Sequence, residues 1–100
     1  MLFRSGSSSS GTVAIANNTI GSITTSGMAT TISASLVGIQ VTAGANTISN
    51  NTVGSTATAN SLNAATSPTS STAQQVTGIL SSSSTSASIT GNTVANLNNN

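Results

Sequence analysis

The residues with the clearest claim to chemistry are two tripeptides, Asn17-Asn-Thr19 and Asn50-Asn-Thr52, which carry the acceptor pattern for N-linked glycosylation. The same asparagines also have a structural reading, as a corner and a ladder, developed below. Serine is abundant, but a serine nucleophile needs a base, and the sequence holds no Asp, Glu, His, Cys or Lys. General acid–base catalysis needs a group that titrates near the working pH, which Ser, Thr and the single Arg4 do not supply. Paired-carboxylate glycoside hydrolysis is excluded within this segment. Metal ions fare no better, since hard cations want carboxylates and soft ones want thiolate or imidazole. We therefore assign no catalytic residue, no metal ligand and no cofactor, and expect a chain that is not an enzyme. Thr56-Ala-Thr58 has the form of one row of a stacked Thr-x-Thr array of the ice-binding kind, but the segment near Ser22 to Thr25 does not repeat its spacing.

The elements that must position these asparagines announce themselves by repetition. One phrase occurs three times: Ile15-Ala-Asn-Asn-Thr-Ile20-Gly, Ile48-Ser-Asn-Asn-Thr-Val53-Gly and Ile89-Thr-Gly-Asn-Thr-Val94-Ala. A second signal, Leu36-Val-Gly38-Ile39, returns as Val76-Thr-Gly78-Ile79. Both signals recur about 40 residues apart, the interval of a solenoid rung that cannot bury its own apolar face until neighbours stack on it. The first two phrases stand closer together, and the deficit is read as lying wholly between the phrase and the next Gly-Ile, as an outward loop of variable length.

Ile48 and Val53 are five residues apart, so on one straight strand they would face opposite ways. The phrase must bend. Positions 17 and 50 are Asn and position 91 is Gly, residues that share a tolerance of the left-handed backbone region, so Asn17, Asn50 and Gly91 are expected at a corner. The next position is asparagine in all three copies. Asn18, Asn51 and Asn92 are expected to form a stacked amide ladder with a repeat of about 4.8 Å. The expected core consists of columns: Ile15, Ile48 and Ile89; Ile20, Val53 and Val94; Ile39 over Ile79; Leu36 over Val76. Stiff β-branched side chains suit such columns. Helix is disfavoured, because Ser, Thr, Asn and Gly fill every candidate segment and no apolar stripe at 3.6-residue spacing persists. The expected fold is all-β, a right-handed parallel β-helix (β-solenoid) of about three rungs.

A length of 100 residues and an apolar fraction of 35% bound the core to a thin one. Residues 1–11 read as a disordered Ser/Gly-rich lead-in, residues 12–97 as the repeats with an outward loop at 64–73 around Pro68, and residues 98–100 as a polar tail. The net charge of +1 rests on Arg4, which leaves no basic cluster for nucleic acid or an anionic membrane. No apolar run approaches the roughly 18 residues needed for membrane insertion. Met1-Leu-Phe-Arg4 is followed at once by serines, so it is not an export signal, and we read the chain as an internal fragment of a longer protein.

Ile48-Ser-Asn-Asn-Thr-Val-Gly-Ser55, Thr58-Ala-Asn-Ser-Leu62 and Val76-Thr-Gly-Ile79, with the match running from Thr12 to Leu97, resemble right-handed parallel β-helix repeat proteins. The closest likeness is to large secreted surface proteins of Bacteroidetes-type bacteria. That resemblance implies export and an extracellular or cell-surface location. The β-helix family includes pectate lyases and other polysaccharide-acting enzymes, tailspike-like proteins, adhesins and spacers. Ser81 stands where Val41 would place an inward apolar residue, and it opens a serine run that departs from the pattern. The expected function is a non-enzymatic structural or display segment of an exported adhesin-like protein. The alternative is a set of non-catalytic rungs from a polysaccharide-processing enzyme whose active site lies elsewhere. A third reading, from composition alone, is a disordered Ser/Thr-rich stalk, which does not require the apolar periodicity. Expected partners are neighbouring rungs of a longer chain and glycans or other surface components, although aromatic platforms for sugars are absent apart from Phe3. Uncapped ends and almost no charge are expected to make the isolated piece associate end to end.

Overall fold

Among the described residues every regular element is a short β-strand, as the Ile, Val and Thr content of the repeats favours. The computed structural model describes residues 3–5, 11–28, 35–67 and 75–99. The first turn holds β1 (Phe3–Ser5), β2 (Thr12–Ala16), β3 (Thr19–Ile20) and β4 (Ile23–Met28). The second holds β5 (Leu36–Val41), β6 (Ala45–Ser49), β7 (Thr52–Gly54) and β8 (Leu62–Ser67). The third holds β9 (Val76–Ser81), β10 (Ala87–Thr90), β11 (Thr93–Ala95) and β12 (Leu97–Asn99).

Each strand pairs in parallel with its counterpart one turn on, which gives four three-stranded sheets ordered β1-β5-β9, β2-β6-β10, β3-β7-β11 and β4-β8-β12. The chain is a right-handed parallel β-helix of about three rungs. The shortest principal dimension of the molecule, 13 Å, fits three strands at about 4.8 Å spacing.

Register turns the repeated phrase into columns. Ile15, Ile48 and Ile89 stand in line, as do Ile20, Val53 and Val94; Ile39 pairs with Ile79 and Leu36 with Val76. Depth depends on the rung. Ile48, Val53 and Ile39 of the middle rung are fully buried, and Ile15 and Leu36 nearly so. Ile89 and Val94 are 48% and 47% exposed, which corrects their assignment to the core. They lie in the third rung, on strands that form the sheet edges among the described residues. Val41, Leu62 and Ala64 join the core instead. Leu62 stacks between Ile23 and Leu97 in a fifth column.

The Gly-Ile signal acquires a packing reason. A Cβ on Gly38 would run into Val53 Cγ1, and one on Gly78 would meet Val94 Cγ1 at 2.5 Å. Each glycine leaves room for the valine projecting from the third sheet, so a small residue faces a large one across a narrow core. Gly54 turns the corner out of β7 at φ 89°, and a side chain there would strike the Ala95 carbonyl.

Four boundaries differ from the sequence expectation. Phe3–Ser5 lies within the expected lead-in but forms β1 on the edge of β5, a pairing made by backbone groups that needs no apolar anchor; residues 6–10 lie outside the described residues. Asn98 and Asn99 belong to β12 rather than to a tail. Residues 64–67 of the expected loop run in β8 against Thr25 to Met28, and residues 68–73 lie outside the described residues. The length deficit is not confined to one place. Val53 and Leu62 are nine residues apart, whereas Ile20 and Ile23, like Val94 and Leu97, are three apart. The main insertion is therefore at 55–60, between the third and fourth sheets, with smaller differences before β9 and β10.

Candidate functional site

Three features could carry function: the asparagine corner, the insertion at 55–60, and a depression on the second sheet. At the corner, Asn17, Asn50 and Gly91 have φ values of 60°, 55° and 62°. This left-handed step separates the second sheet from the third, and Asn and Gly adopt it at low cost. A Cβ on Gly91 would collide with Asn50 Oδ1, so the last position also lacks room for a side chain.

One residue on, the asparagines form a directed ladder. Asn18 donates from both its main-chain N and its Nδ2 to Asn51 Oδ1, each at 3.0 Å. Asn51 donates in the same way to Asn92 Oδ1, each at 2.9 Å. The second amide hydrogen runs back down the stack, from Asn51 Nδ2 to the Ile15 carbonyl at 3.0 Å and from Asn92 Nδ2 to the Ile48 carbonyl at 2.8 Å. Asn51 is 1% exposed with its hydrogen-bonding capacity used, which is the condition for a polar side chain to sit in a core without penalty. Among the described residues no buried side-chain polar atom lacks a partner.

The two glycosylation tripeptides divide along the same line. Asn17 and Asn50, the acceptor positions, are exposed at the corner, while Asn18 and Asn51 are held in the ladder. Thr56 and Thr58 lie in the insertion, which has no counterpart on either neighbouring rung, so no threonine array forms around them. Ser55 Oγ accepts from the main-chain N of Ala57 and of Thr58 and so organises the start of the insertion. Asn96 Nδ2 donates to the Ser55 carbonyl at 2.7 Å, fixing it to the next rung. The insertion is tethered at its base and exposed from Thr56 to Asn60.

Two polar residues act at corners that the repeated phrases do not mark. Asn46 is 4% exposed; its Nδ2 donates to the Gly44 carbonyl, and its Oδ1 accepts from Ser81 Oγ at 3.4 Å. Ser81, the departure from the apolar pattern, thus has a polar partner in the same corner. Ser61 is 2% exposed and accepts through Oγ from the main-chain N of Ser22, itself at φ 59°. Ser61 stands directly before Leu62, whereas Asn46 is followed by Thr47, so no shared sequence signal marks the two.

On the second sheet a shallow depression of about 360 Å³ is lined by Thr12, Ala14, Asn46, Thr47, Ser86 and Ser88, among others. Its hydroxyl and amide groups can donate and accept hydrogen bonds but cannot transfer protons near neutral pH. The sequence contains no side chain that titrates between about pH 4 and about pH 9. Folding therefore couples to no side-chain proton uptake in that range, and thermal melts at pH 5 and pH 8 should superimpose when followed by circular dichroism. A clear shift in the midpoint would contradict this.

Among the described residues there is no helix long and apolar enough to cross a membrane. Comparison with known proteins returns no matching family model, no matching curated protein and no matching solved structure.

Proposed function

We propose that the chain is a non-enzymatic structural and display segment of an exported, adhesin-like β-helix protein, of the kind its phrases resemble among surface proteins of Bacteroidetes-type bacteria. One observation carries the reading: the middle rung accommodates the insertion at 55–60 while β7 and β8 keep register with strands on both sides. A rung stack with polar outer positions and a corner that accepts extra chain is what a display scaffold requires. The absence of acids, bases and thiols from the sequence supports the non-catalytic part of the reading.

The test is insertion of a ten-residue epitope between Thr58 and Ala59, beyond the Ser55 contacts. The melting midpoint should stay close to that of the parent, and an antibody should bind the epitope in the folded protein. The same peptide placed between Asn18 and Thr19, where the ladder meets β3, should abolish the cooperative melt. Equal damage at both sites would overturn the scaffold reading. Export is tested by protease treatment of intact source cells: the chain should be lost, and its survival at the level of untreated cells would contradict a surface location.

A further inference from the structure

The two ends of this three-rung segment are chemically complementary, and we propose that copies of the segment on its own join head to tail, the third rung of one copy receiving the first rung of the next in the register of the asparagine ladder. The ladder has a direction. Each asparagine offers its main-chain N and one Nδ2 hydrogen to the Oδ1 of the following rung. Asn92 ends the series with those two donors unused among the described contacts, and Asn18 begins it with Oδ1 unused. Donors at one end thus face acceptors at the other. Asn18 Nδ2, which has no preceding rung, turns to the Ala16 carbonyl of its own strand at 3.1 Å, where Asn51 and Asn92 reach back to Ile15 and Ile48. In a joined pair it would take the Ile89 carbonyl of the preceding copy.

The backbone repeats this polarity. Asn17 N donates to the Ser49 carbonyl and Asn50 N to the Thr90 carbonyl, so Gly91 N is the next donor and the Ala16 carbonyl of a second copy its acceptor. In the opposite sense, Thr52 N donates to the Asn18 carbonyl and Thr93 N to the Asn51 carbonyl, which leaves Thr19 N of a second copy for the Asn92 carbonyl. Apolar surface points the same way: Ile89 and Val94 of the third rung are 48% and 47% exposed, and Val13, Ile20 and Ile23 of the first rung are partly buried against the core. Stacking would continue the Ile15–Ile48–Ile89 and Ile20–Val53–Val94 columns. With one charged side chain in the sequence, no electrostatic repulsion opposes the approach. A contact between unlike ends is heterologous, so it propagates as a filament rather than closing as a dimer.

The experiment blocks one end at a time. Thr19→Pro removes a donor with no partner in the single chain, at the first residue of an edge strand where proline is tolerated. Val94→Lys places a charge on the third-rung edge. Sedimentation should show the parent growing beyond dimers with concentration, each variant as a monomer with strand circular dichroism, and their equimolar mixture at twice the mass of one chain. Should Thr19→Pro fail to fold, Ile20→Lys blocks the same end and is read identically. A parent that stays monomeric at millimolar concentration would overturn the proposal. So would a Thr19→Pro variant that still forms dimers alone, which would mean that like ends pair.

Discussion

Replacing Ile48 by Asp should leave the chain without a cooperative thermal melt. Ile48 is fully buried in the middle rung, stacked between Ile15 and Ile89 and packed within the cluster of Ile15, Ile39, Val41, Val53 and Leu62. Loss of the isoleucine contacts alone is worth about 2–5 kcal/mol. The carboxylate would then lie in a core without a cation in its column, since Arg4 is the only cationic side chain in the sequence and is in register with Gln40 of the first sheet, not with Ile48 of the second. Desolvating that charge costs several kcal/mol more, against a total stability of roughly 5–15 kcal/mol for a small domain. Ile89→Asp changes the same column at a residue 48% exposed, and its cost should stay near 1 kcal/mol. Circular dichroism melts of both variants separate depth in the stack from membership of a column. Equal effects would mean that the rungs do not differ in burial as described.

The second large effect is expected at the ladder. Asn51→Leu deletes a side chain that takes part in four hydrogen bonds, two accepted from Asn18 and two donated, to Ile15 and Asn92. Leucine approximates its volume, so the loss is chiefly of polar partners rather than of filled space. The donors of Asn18 and the oxygen of Ile15 would be left facing an apolar group, at about 1–3 kcal/mol for each buried polar atom stranded. A destabilisation of about 3–5 kcal/mol follows. Asn18→Leu removes a terminal member of the ladder, whose side chain makes two hydrogen bonds, and should cost clearly less. Urea melts of the two variants measure the difference, and the reverse order would contradict the ladder as the interior support of the corner.

The repeating unit was legible because parallel stacking demands that like stand on like. Branched residues at the same place in each phrase specify columns, and Gly91 standing where the other copies have Asn points to a positive φ at that step. What periodicity cannot encode is position within a finite stack. Ile89 and Val94 have the same sequence context as Ile48 and Val53, and their place on the edge strands among the described residues exposes them. The misplaced loop has a different cause. Leu62–Ser67 contains one large aliphatic residue, and its Ala, Asn, Thr and Ser have the composition of the true insertion just before it. The column formed by Ile23, Leu62 and Leu97 carries one large apolar residue per rung, too sparse a signal to see without the pairing. Asn46 and Ser61 escaped notice because each is a single polar residue whose burial depends on a corner built by other segments.

Cysteine pairs test the parallel register of three rungs cleanly, because the sequence contains no cysteine. Ala14 pairs with Thr47, and Thr47 with Ser88, all three at exposed positions of the second sheet. In-register Cα atoms about 4.8 Å apart lie within the range a disulfide can bridge, whereas Ala14 and Ser88 are two rungs apart and beyond it. Under mild oxidation, Ala14→Cys with Thr47→Cys and Thr47→Cys with Ser88→Cys should each form the intramolecular disulfide readily, and Ala14→Cys with Ser88→Cys should form none within a chain, its thiols meeting only across a head-to-tail junction between copies. Comparable intramolecular closure of all three pairs would show a chain without register, and fastest intramolecular closure of the Ala14–Ser88 pair would show a different stacking order.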